Sequence, residues 1–314
     1  MTKRIAITTP TGNVGRRIVS ELLEHRDVEL VLLARRPEAW TGTRMEVRVG
    51  SLDDPSFVVD ATRGVDALYW ATPNSFAPGI TMREGYRRFA RSAADAIRQN
   101  AIRQVVHLSG FAHVDDGGGE RSLFGALAET EATLADAARG SSITHLRAGF
   151  FFENLLGQLN YLRTEGRVFL PVDRKRRIPM VASRDVALRA TELLLADLPS
   201  RRTFTGAFGP EDLSFSDVGA KLSEGLGRRI SVVRLPQVLI RTRMLRAGRD
   251  ERATDAFLLL FRAITKGLVT ANPGRDDAST TPTSLSRWAR EELAPLVDSD
   301  AAMMCPARVQ YEVV

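Results

Sequence analysis

The sequence predicts an α/β protein: a Rossmann-type doubly wound parallel sheet with a smaller C-terminal α+β lobe. Three observations point there. Apolar runs of four to seven residues alternate with helix-length amphipathic stretches through the first 150 residues, the pattern of a parallel sheet wound with helices. The first such run leads straight into a glycine-containing turn and then into an amphipathic helix. Beyond about residue 150 the alternation loosens into mixed helices and short strands, as a lobe laid over the sheet's carboxyl edge would read.

Taken in order, strands are expected at 4–9, 28–34, 45–49, 65–71, 103–109 and 142–147. Between them, VGRRIVSELLEH puts Val14, Ile18, Leu22 and Leu23 on one helical face, and EGYRRFARSAADAIRQNA gathers Tyr86, Phe89, Ala93, Ala96 and Ile97 on another. FFFENLLGQLNYLRTEG reads as a long helix with an aromatic start, followed by short strands near 178–181, 202–207 and 230–233. RDVALRATELLLA at 184–196 is strongly amphipathic and is expected to pack back on the first part of the chain. The stretch after Asp298 has no clear period and reads as a poorly ordered tail or an interaction segment.

The turn after the first strand carries the chemistry. In a βαβ nucleotide unit one glycine makes the tight turn, a second lets the backbone approach a pyrophosphate, and a third lets the helix pack on the strand. In TTPTGNVG the second and third places are Gly12 and Gly15, while Thr9 holds the first. A β-branched residue is not expected to take the positive φ open to glycine, so the turn should follow a different path and hold the pyrophosphate less closely. The second strand ends in Arg35 and Arg36, about 20 residues past Gly15, where an acid would bind the ribose of NAD and an arginine the 2′-phosphate of NADP. That position favours NADP(H) over NAD(H).

Composition removes other classes. The 314 residues carry a net charge of +6, but the basic residues are scattered and nearly all arginine, so the charge is read as compositional and no nucleic acid is expected. No apolar run approaches the length of a membrane span, and MTKR enters the first strand with no leader-like segment, so a cytoplasmic protein is expected. The single cysteine, Cys305, and the scattered histidines 25, 107, 113 and 145 offer no metal cluster. His107 and His145 alternate with apolar neighbours and read as sheet-face residues.

These pieces together resemble the NmrA-like family, atypical members of the short-chain dehydrogenase/reductase superfamily, over roughly residues 3–290. TTPTGNVGRRIVSELL resembles its T-G-A-T-G-N-V-G opening, GSLDDPSFVVDATRGVDALYWATP its G-D-L segment, and VVHLSG its fifth strand. LRAGFFFENLL resembles R-P-x-x-F-x-x-N, IPMVASRDVA a strand-and-helix unit with Asp185, and FTGAFGPEDLSFSDVGAKLSEGLGR the lobe's T-G-P motif. The resemblance implies a nucleotide-binding domain over 1–150, a substrate or partner lobe over 151–297 interleaved with it, and a tail over 298–314. It implies cofactor contacts from Thr9, Thr11, Gly12, Asn13, Val14, Gly15, Arg35, Arg36, Ser51, Leu52, Ala71, Thr72 and Pro73. Ser51 stands where the family has an aspartate facing the adenine.

The superfamily's Tyr-x-x-x-Lys pair has no counterpart, because none of Tyr69, Tyr86 and Tyr161 is followed by lysine four residues later. Ser109, at the end of the fifth strand, and His113, in the loop beyond it, are then the candidates for assisting catalysis. Phe152, Asn154 and Tyr161 are the candidates for an aromatic substrate wall with a polar handle, suited to a quinone or polycyclic ketone. Three readings remain open: an NADP(H)-dependent oxidoreductase of a carbonyl, quinone or polycyclic aromatic small molecule, plausibly in secondary metabolism; a non-redox cyclase, isomerase or coupling enzyme on the same fold; and a cofactor-sensing regulator. The expected partner is a small-molecule substrate, with a homodimer compatible.

Overall fold

The computed structural model describes residues 2–36, 40, 42–73, 80–113, 123–171, 175–199, 201–246, 248, 251–266, 270–271 and 274–298. In chain order the elements begin β1 (Lys3–Thr8), α1 (Gly15–Leu23), β2 (Val28–Ala34), β3 (Met45–Val49), α2 (Pro55–Ala61), β4 (Ala67–Trp70), α3 (Met82–Gln99), β5 (Gln104–Gly110), β6 (Ala112–His113), α4 (Leu123–Ala137) and β7 (Ser142–Ala148). There follow β8 (Phe150–Phe151), a 3-10 segment (Phe152–Gln158), α5 (Leu159–Glu165), β9 (Arg167–Leu170), β10 (Arg177–Val181), α6 (Ser183–Leu195), β11 (Arg202–Ala207), β12 (Asp212–Ser214) and α7 (Phe215–Leu226). The chain closes with β13 (Ser231–Arg234), α8 (Gln237–Arg246), α9 (Glu251–Lys266), β14 (Thr270–Ala271), α10 (Leu285–Trp288), a π-helical turn (Ala289–Leu293) and α11 (Ala294–Asp298). The tail beyond it, with Cys305, lies outside the described residues.

Seven parallel strands form the central sheet in the order β11-β7-β5-β4-β1-β2-β3. A parallel sheet is covered on both faces, which is why its strands are apolar almost throughout. Ile5, Ile7, Ala67 and Tyr69 face α1 and α6, while Ala6, Leu68, Trp70 and Val105 face α2, α3 and α4. As the amphipathic pattern requires, Val186, Ala187, Ala190 and Leu194 of α6 pack with Ile18, Val19 and Leu22 of α1. The strands end in step: Thr8 pairs with Leu33, Ala34 with Val49, Trp70 with His107, and Gly110 with Ala148. With Ala207 of β11 opposite Ala148, all seven strands therefore end on one edge.

Two expectations are corrected. The strand at 202–207, read as part of the lobe, is the edge strand of the main sheet, paired over six residues with β7. Its own pattern is too short to announce a partner; the open edge of β7 supplies one. The aromatic stretch from Phe150 is no long helix. Phe150 and Phe151 pair with Met180 and Val181 of β10, and the chain then tightens into the 3-10 segment before the seven-residue α5. Glu153 explains the tightening, because its carboxylate accepts from the Ser183 N–H at 3.0 Å and the Ser183 hydroxyl at 2.6 Å, tying this segment to the start of α6.

The lobe has its own small sheets, β12-β10-β8 and β13-β9, and a core in which Phe150, Phe215, Phe257 and Phe261 meet edge to face. That core is continuous with Tyr86 of α3, Phe111, and Leu123 and Leu127 of α4. Buried apolar packing thus runs from the sheet's carboxyl edge into the lobe.

Candidate functional site

The site begins with Thr9. It adopts φ +49, the left-handed conformation that the sequence argument denied to a β-branched residue, so the expected detour of the turn is corrected. The neighbours over-determine it. Gly12 N–H donates to the Thr9 carbonyl at 3.0 Å, and Arg16 N–H donates to the Gly12 carbonyl at 3.1 Å, winding the turn directly into α1. A Cβ on Gly15 would sit 2.1 Å from the Thr9 carbonyl oxygen, so only glycine lets the helix start this close to the strand. No side chain caps α1, and its first turn carries no acid. The partial positive charge of its start is thus not offset by an acid of its own and suits a phosphate.

Thr8, which the sequence reading passed over, holds the next loop in place. Its buried hydroxyl accepts from the Ala71 N–H at 2.9 Å and donates to the Tyr69 carbonyl at 3.1 Å, so Ala71, Thr72 and Pro73 leave β4 beside the turn. The signal was a hydroxyl ending an otherwise apolar strand. Arg35 and Arg36 follow β2 directly and are exposed at the same edge. Gly50 N–H donates to the Ala34 carbonyl at 3.0 Å, bringing the end of β3 alongside; beyond it Ser51 is exposed, with its hydroxyl on the Asp53 carboxylate, and Leu52 is buried.

Further along the edge, Ser109 is 1% exposed and its hydroxyl makes no hydrogen bond of good geometry. It faces α4, where the bland helix sequence LFGALAETEATLADA presents neither tyrosine nor lysine but a buried carboxylate, Glu131. Arg147, the partner of Ser109 across β5 and β7, grips that carboxylate with Nε and Nη2 at 2.9 and 2.6 Å. Burial pushes the Glu131 carboxyl up, but the Arg147 hydrogen bonds and charge, helped by Ser109 and His107, bring it below the ordinary carboxylate value. Neither member of this pair was anticipated; a charged residue ending the strand SITHLRA was the available sign. His107 and His145, also cross-strand partners, are fully buried on the sheet face with Nδ1 atoms 3.0 Å apart. His113 lies in β6, paired with Thr270 of β14, and its side chain is outside the described residues.

The three residues proposed as one wall take different places. Phe152 is core, 1% exposed and packed on Trp288 with ring centres 5.7 Å apart. Tyr161 stands edge-on to Phe169 with the Arg243 guanidinium over its ring. Asn154 is buried, and its Oδ1 has no partner. Thr72 Oγ1 is likewise buried and unpartnered. Buried polar atoms are ordinarily satisfied; among the described residues Thr72 and Ser109, at the ends of β4 and β5, and Asn154, in the 3-10 segment of the lobe, are three that have no partner and so are candidates for contact with a ligand.

Among the described residues no helix is long and apolar enough to cross a membrane, and no group of His, Cys, Asp or Glu could hold a metal ion. The residues present do fit a dinucleotide: a glycine whose missing Cβ makes room for the turn, an uncapped helix start, and unpaired polar groups along the adjoining edge.

Comparison with known proteins agrees with that geometry. A sequence model described as NAD(P)H-binding matches residues 10–195. A (4-alkanoyl-5-oxo-2,5-dihydrofuran-3-yl)methyl phosphate reductase of Streptomyces griseus is 30% identical over 256 residues, 81% of this chain and 84% of the relative. An NAD(P)H azoreductase of Xenophilus azovorans is 24% identical over 260 residues, 82% of this chain and 86% of that one. An NADPH-dependent quinone oxidoreductase of Escherichia coli, solved with NADPH, superposes with a TM-score of 0.71 at 19% identity, covering 91% of this chain and 98% of the other. The glycine turn, the seven-stranded sheet and these matches together place the chain in the NAD(P)H-binding family, among its NmrA-like, atypical short-chain dehydrogenase/reductase members.

Proposed function

We propose that this protein is a cytoplasmic, NADPH-dependent reductase of conjugated electrophiles, small apolar molecules such as quinones, enones or unsaturated lactones. The observation that carries the reading is the pairing of a dinucleotide turn with an α4 that presents neither tyrosine nor lysine, beside a sheet edge backed by apolar packing. When bound, the nicotinamide supplies a hydride. The chain's own residues then have to orient the acceptor and keep water from the reacting face. The buried packing of Tyr86, Phe111, Leu127 and Phe150 backs that edge, and Thr72, Ser109 and Asn154 are its candidate polar fixed points.

An acceptor whose added electron pair is delocalised onto a remote oxygen or nitrogen needs no strong acid beside the carbon that receives the hydride. Water at the rim can deliver the proton that completes the two-electron reduction. An isolated ketone lacks this escape, because charge develops on the carbonyl oxygen and requires an acid there. The named substrates of the relatives, an acylated oxo-dihydrofuran, an azo compound and a quinone, fit the first description. The non-redox reading also drew on the replacement of the first glycine by Thr9, and that part is weakened because Thr9 takes a positive φ after all.

The test follows NADPH absorbance with 2-methyl-1,4-naphthoquinone and with cyclohexanone. The quinone should exceed the ketone in kcat/KM by about a hundredfold or more, the kinetic worth of a missing general acid. NADPH should be preferred to NADH by about tenfold, the scale of one charge-assisted phosphate contact, and Arg35→Ala should shrink that ratio. Turnover of the ketone as fast as the quinone, or equal use of both cofactors, would contradict the respective half of the reading.

A further inference from the structure

Helices α3 and α4 cover the face of the sheet opposite α1, and the furrow between their outer sides holds a cavity of about 810 Å³. Its floor is small, since Ala90 and Ala94 of α3 and Thr130 of α4 line it and are each 1% exposed. Its walls are charged. Glu84, Arg87, Arg88, Arg91, Asp95 and Arg98 line it from α3, and Glu129 faces them from α4. The acids are already engaged. Glu84 accepts from Arg88 Nε at 3.1 Å, Glu129 accepts from both Arg87 and Arg83, and Asp95 shares Arg98 with Asp136. Burial pushes the Glu129 carboxyl up, but the hydrogen bonds and charge of Arg87 and Arg83 bring it below the ordinary carboxylate value. Of the four arginines in the groove, only Arg91 has no acidic partner among the described residues. Arg87 and Arg88 stand four and three positions before it, the spacing at which like charges on a helix repel.

We propose that this groove is a second ligand site, one for a small molecule bearing a phosphate monoester, with Arg91 as its main contact and Arg87 and Arg88 beside it. A phosphate monoester carries close to two negative charges at neutral pH, and its oxygens match the planar fork of a guanidinium. A single carboxylate would meet Glu84 and Glu129 as equals and gain little by exchange, whereas a dianion draws on Arg87 and Arg88 as well as on Arg91 and relieves the repulsion among the three. The floor of alanines and a threonine leaves room for the ligand, and the cavity is of the size that small molecules occupy, roughly 300–1,000 Å³. A second copy of the chain placed two-fold about Arg91 would set that residue against itself, so the charges favour the small dianion. The groove lies across the sheet from α1, so it can be filled while the nucleotide turn holds a cofactor, and the inference does not depend on what the protein reduces.

The test is calorimetric titration of the full chain with phenyl phosphate at low ionic strength, with and without millimolar NADP⁺. Wild type should bind the probe in both conditions. Arg91→Ala should weaken that binding about ten- to hundredfold, the scale of one charge-assisted contact. Arg91→Lys keeps the charge but loses the fork, and its affinity should fall between the two. Arg26→Ala removes the same charge from the exposed turn after α1 and should change nothing. Arg26 and Arg91 are both exposed, so none of these variants disturbs the core. No binding by wild type at millimolar phenyl phosphate, an unchanged affinity in Arg91→Ala, or an equal loss in Arg26→Ala overturns the proposal. Binding that vanishes when NADP⁺ is added would place the phosphate at the nucleotide turn and overturn it as well. Sedimentation of the same samples checks the other occupant: a dimer that Arg91→Ala dissociates would give the groove to a second copy of the chain instead.

Discussion

Thr9 bears a left-handed backbone on a β-branched side chain, a conformation that costs an L residue about 1–2 kcal/mol. The carbonyl it presents is the one on which Gly12 closes the turn and against which Gly15 packs, so the strain is held by two neighbours that cannot move apart. Thr9→Gly would relieve that strain while adding freedom to the unfolded chain, an opposing effect of about 0.5–1 kcal/mol. The variant should therefore be more stable by at most ~1.5 kcal/mol in urea melts. Because Thr9 already takes the positive φ that a glycine would supply, the NADPH dissociation constant should change by less than about threefold, below one hydrogen bond's worth. A large gain in affinity would mean that threonine does hold the backbone off the pyrophosphate.

At the scale of elements, β5 and β7 meet through two opposed polar pairs in an otherwise apolar sheet. The two imidazoles can share one proton between their Nδ1 atoms, 3.0 Å apart, only if one ring donates and the other accepts. A second proton would set N–H against N–H. Burial therefore lowers His107 to about 4, offset in part by the nearby Glu131 charge and deepened by Arg147; burial, with His107, Arg202 and Arg147, lowers His145 further. The sign follows from linkage: the unfolded chain binds both protons as pH falls through about 6.5, the folded chain refuses them, and stability declines toward pH 4. With both rings refusing, the slope approaches about 2.8 kcal/mol per pH unit, from two protons at ~1.4 each. His145→Asn keeps a polar atom near Nδ1 and removes one titration, so melts between pH 7.5 and 5 should show roughly half the wild-type slope. An unchanged slope would assign the acid sensitivity to carboxylates instead.

Over the whole molecule, sheet and lobe are joined by buried carboxylates that serve as clamps. Glu153 fixes the segment after β8 to α6; Asp185, 4% exposed, accepts from Thr283 N–H at 2.9 Å and Thr283 Oγ1 at 2.7 Å, fixing the segment before α10 to the same helix. That segment also exchanges hydrogen bonds with Phe208 just after β11: Phe208 N–H to Ser279, and Thr281 N–H to Phe208. Arg17 of α1 reaches Glu292 in the π-helical turn, and Arg184 of α6 reaches Glu291, so the helix beneath the phosphate turn is tied to the C-terminal helices. Asp185→Ala strands two buried donors and should cost about 2–4 kcal/mol. Hydrogen exchange should localise the loss to residues 275–284 while β1 to β5 keep their protection, and uniform loss across the sheet would contradict the clamp.

The sequence alone determined six of the seven sheet strands, because strand-length apolar runs alternating with 3.6-period helices admit few solutions, and β1 to β5 and β7 lie within two residues of their expected ends. It also determined the nucleotide turn, since Gly12 and Gly15 between strand and helix are local chemistry, and Arg35 and Arg36 at the end of β2 follow from register. What it left undecided depends on partners distant in the chain. RTFTGA became a sheet edge only because β7 was open, FFFEN left the helical path only because Ser183 holds Glu153, and Phe152 turned into the core only because Trp288 lies beneath it. Thr9 shows the same limit at a single residue: its propensity argued against a left-handed turn, and the Gly12 hydrogen bond and the close approach of Gly15 decided otherwise. The Arg147–Glu131 ion pair is likewise tertiary, for its members lie on β7 and α4 and only the packed sheet and helix bring them together. Local pattern is written in single stretches of chain, whereas burial and pairing energies belong to contacts, and those exist only once the chain has closed on itself.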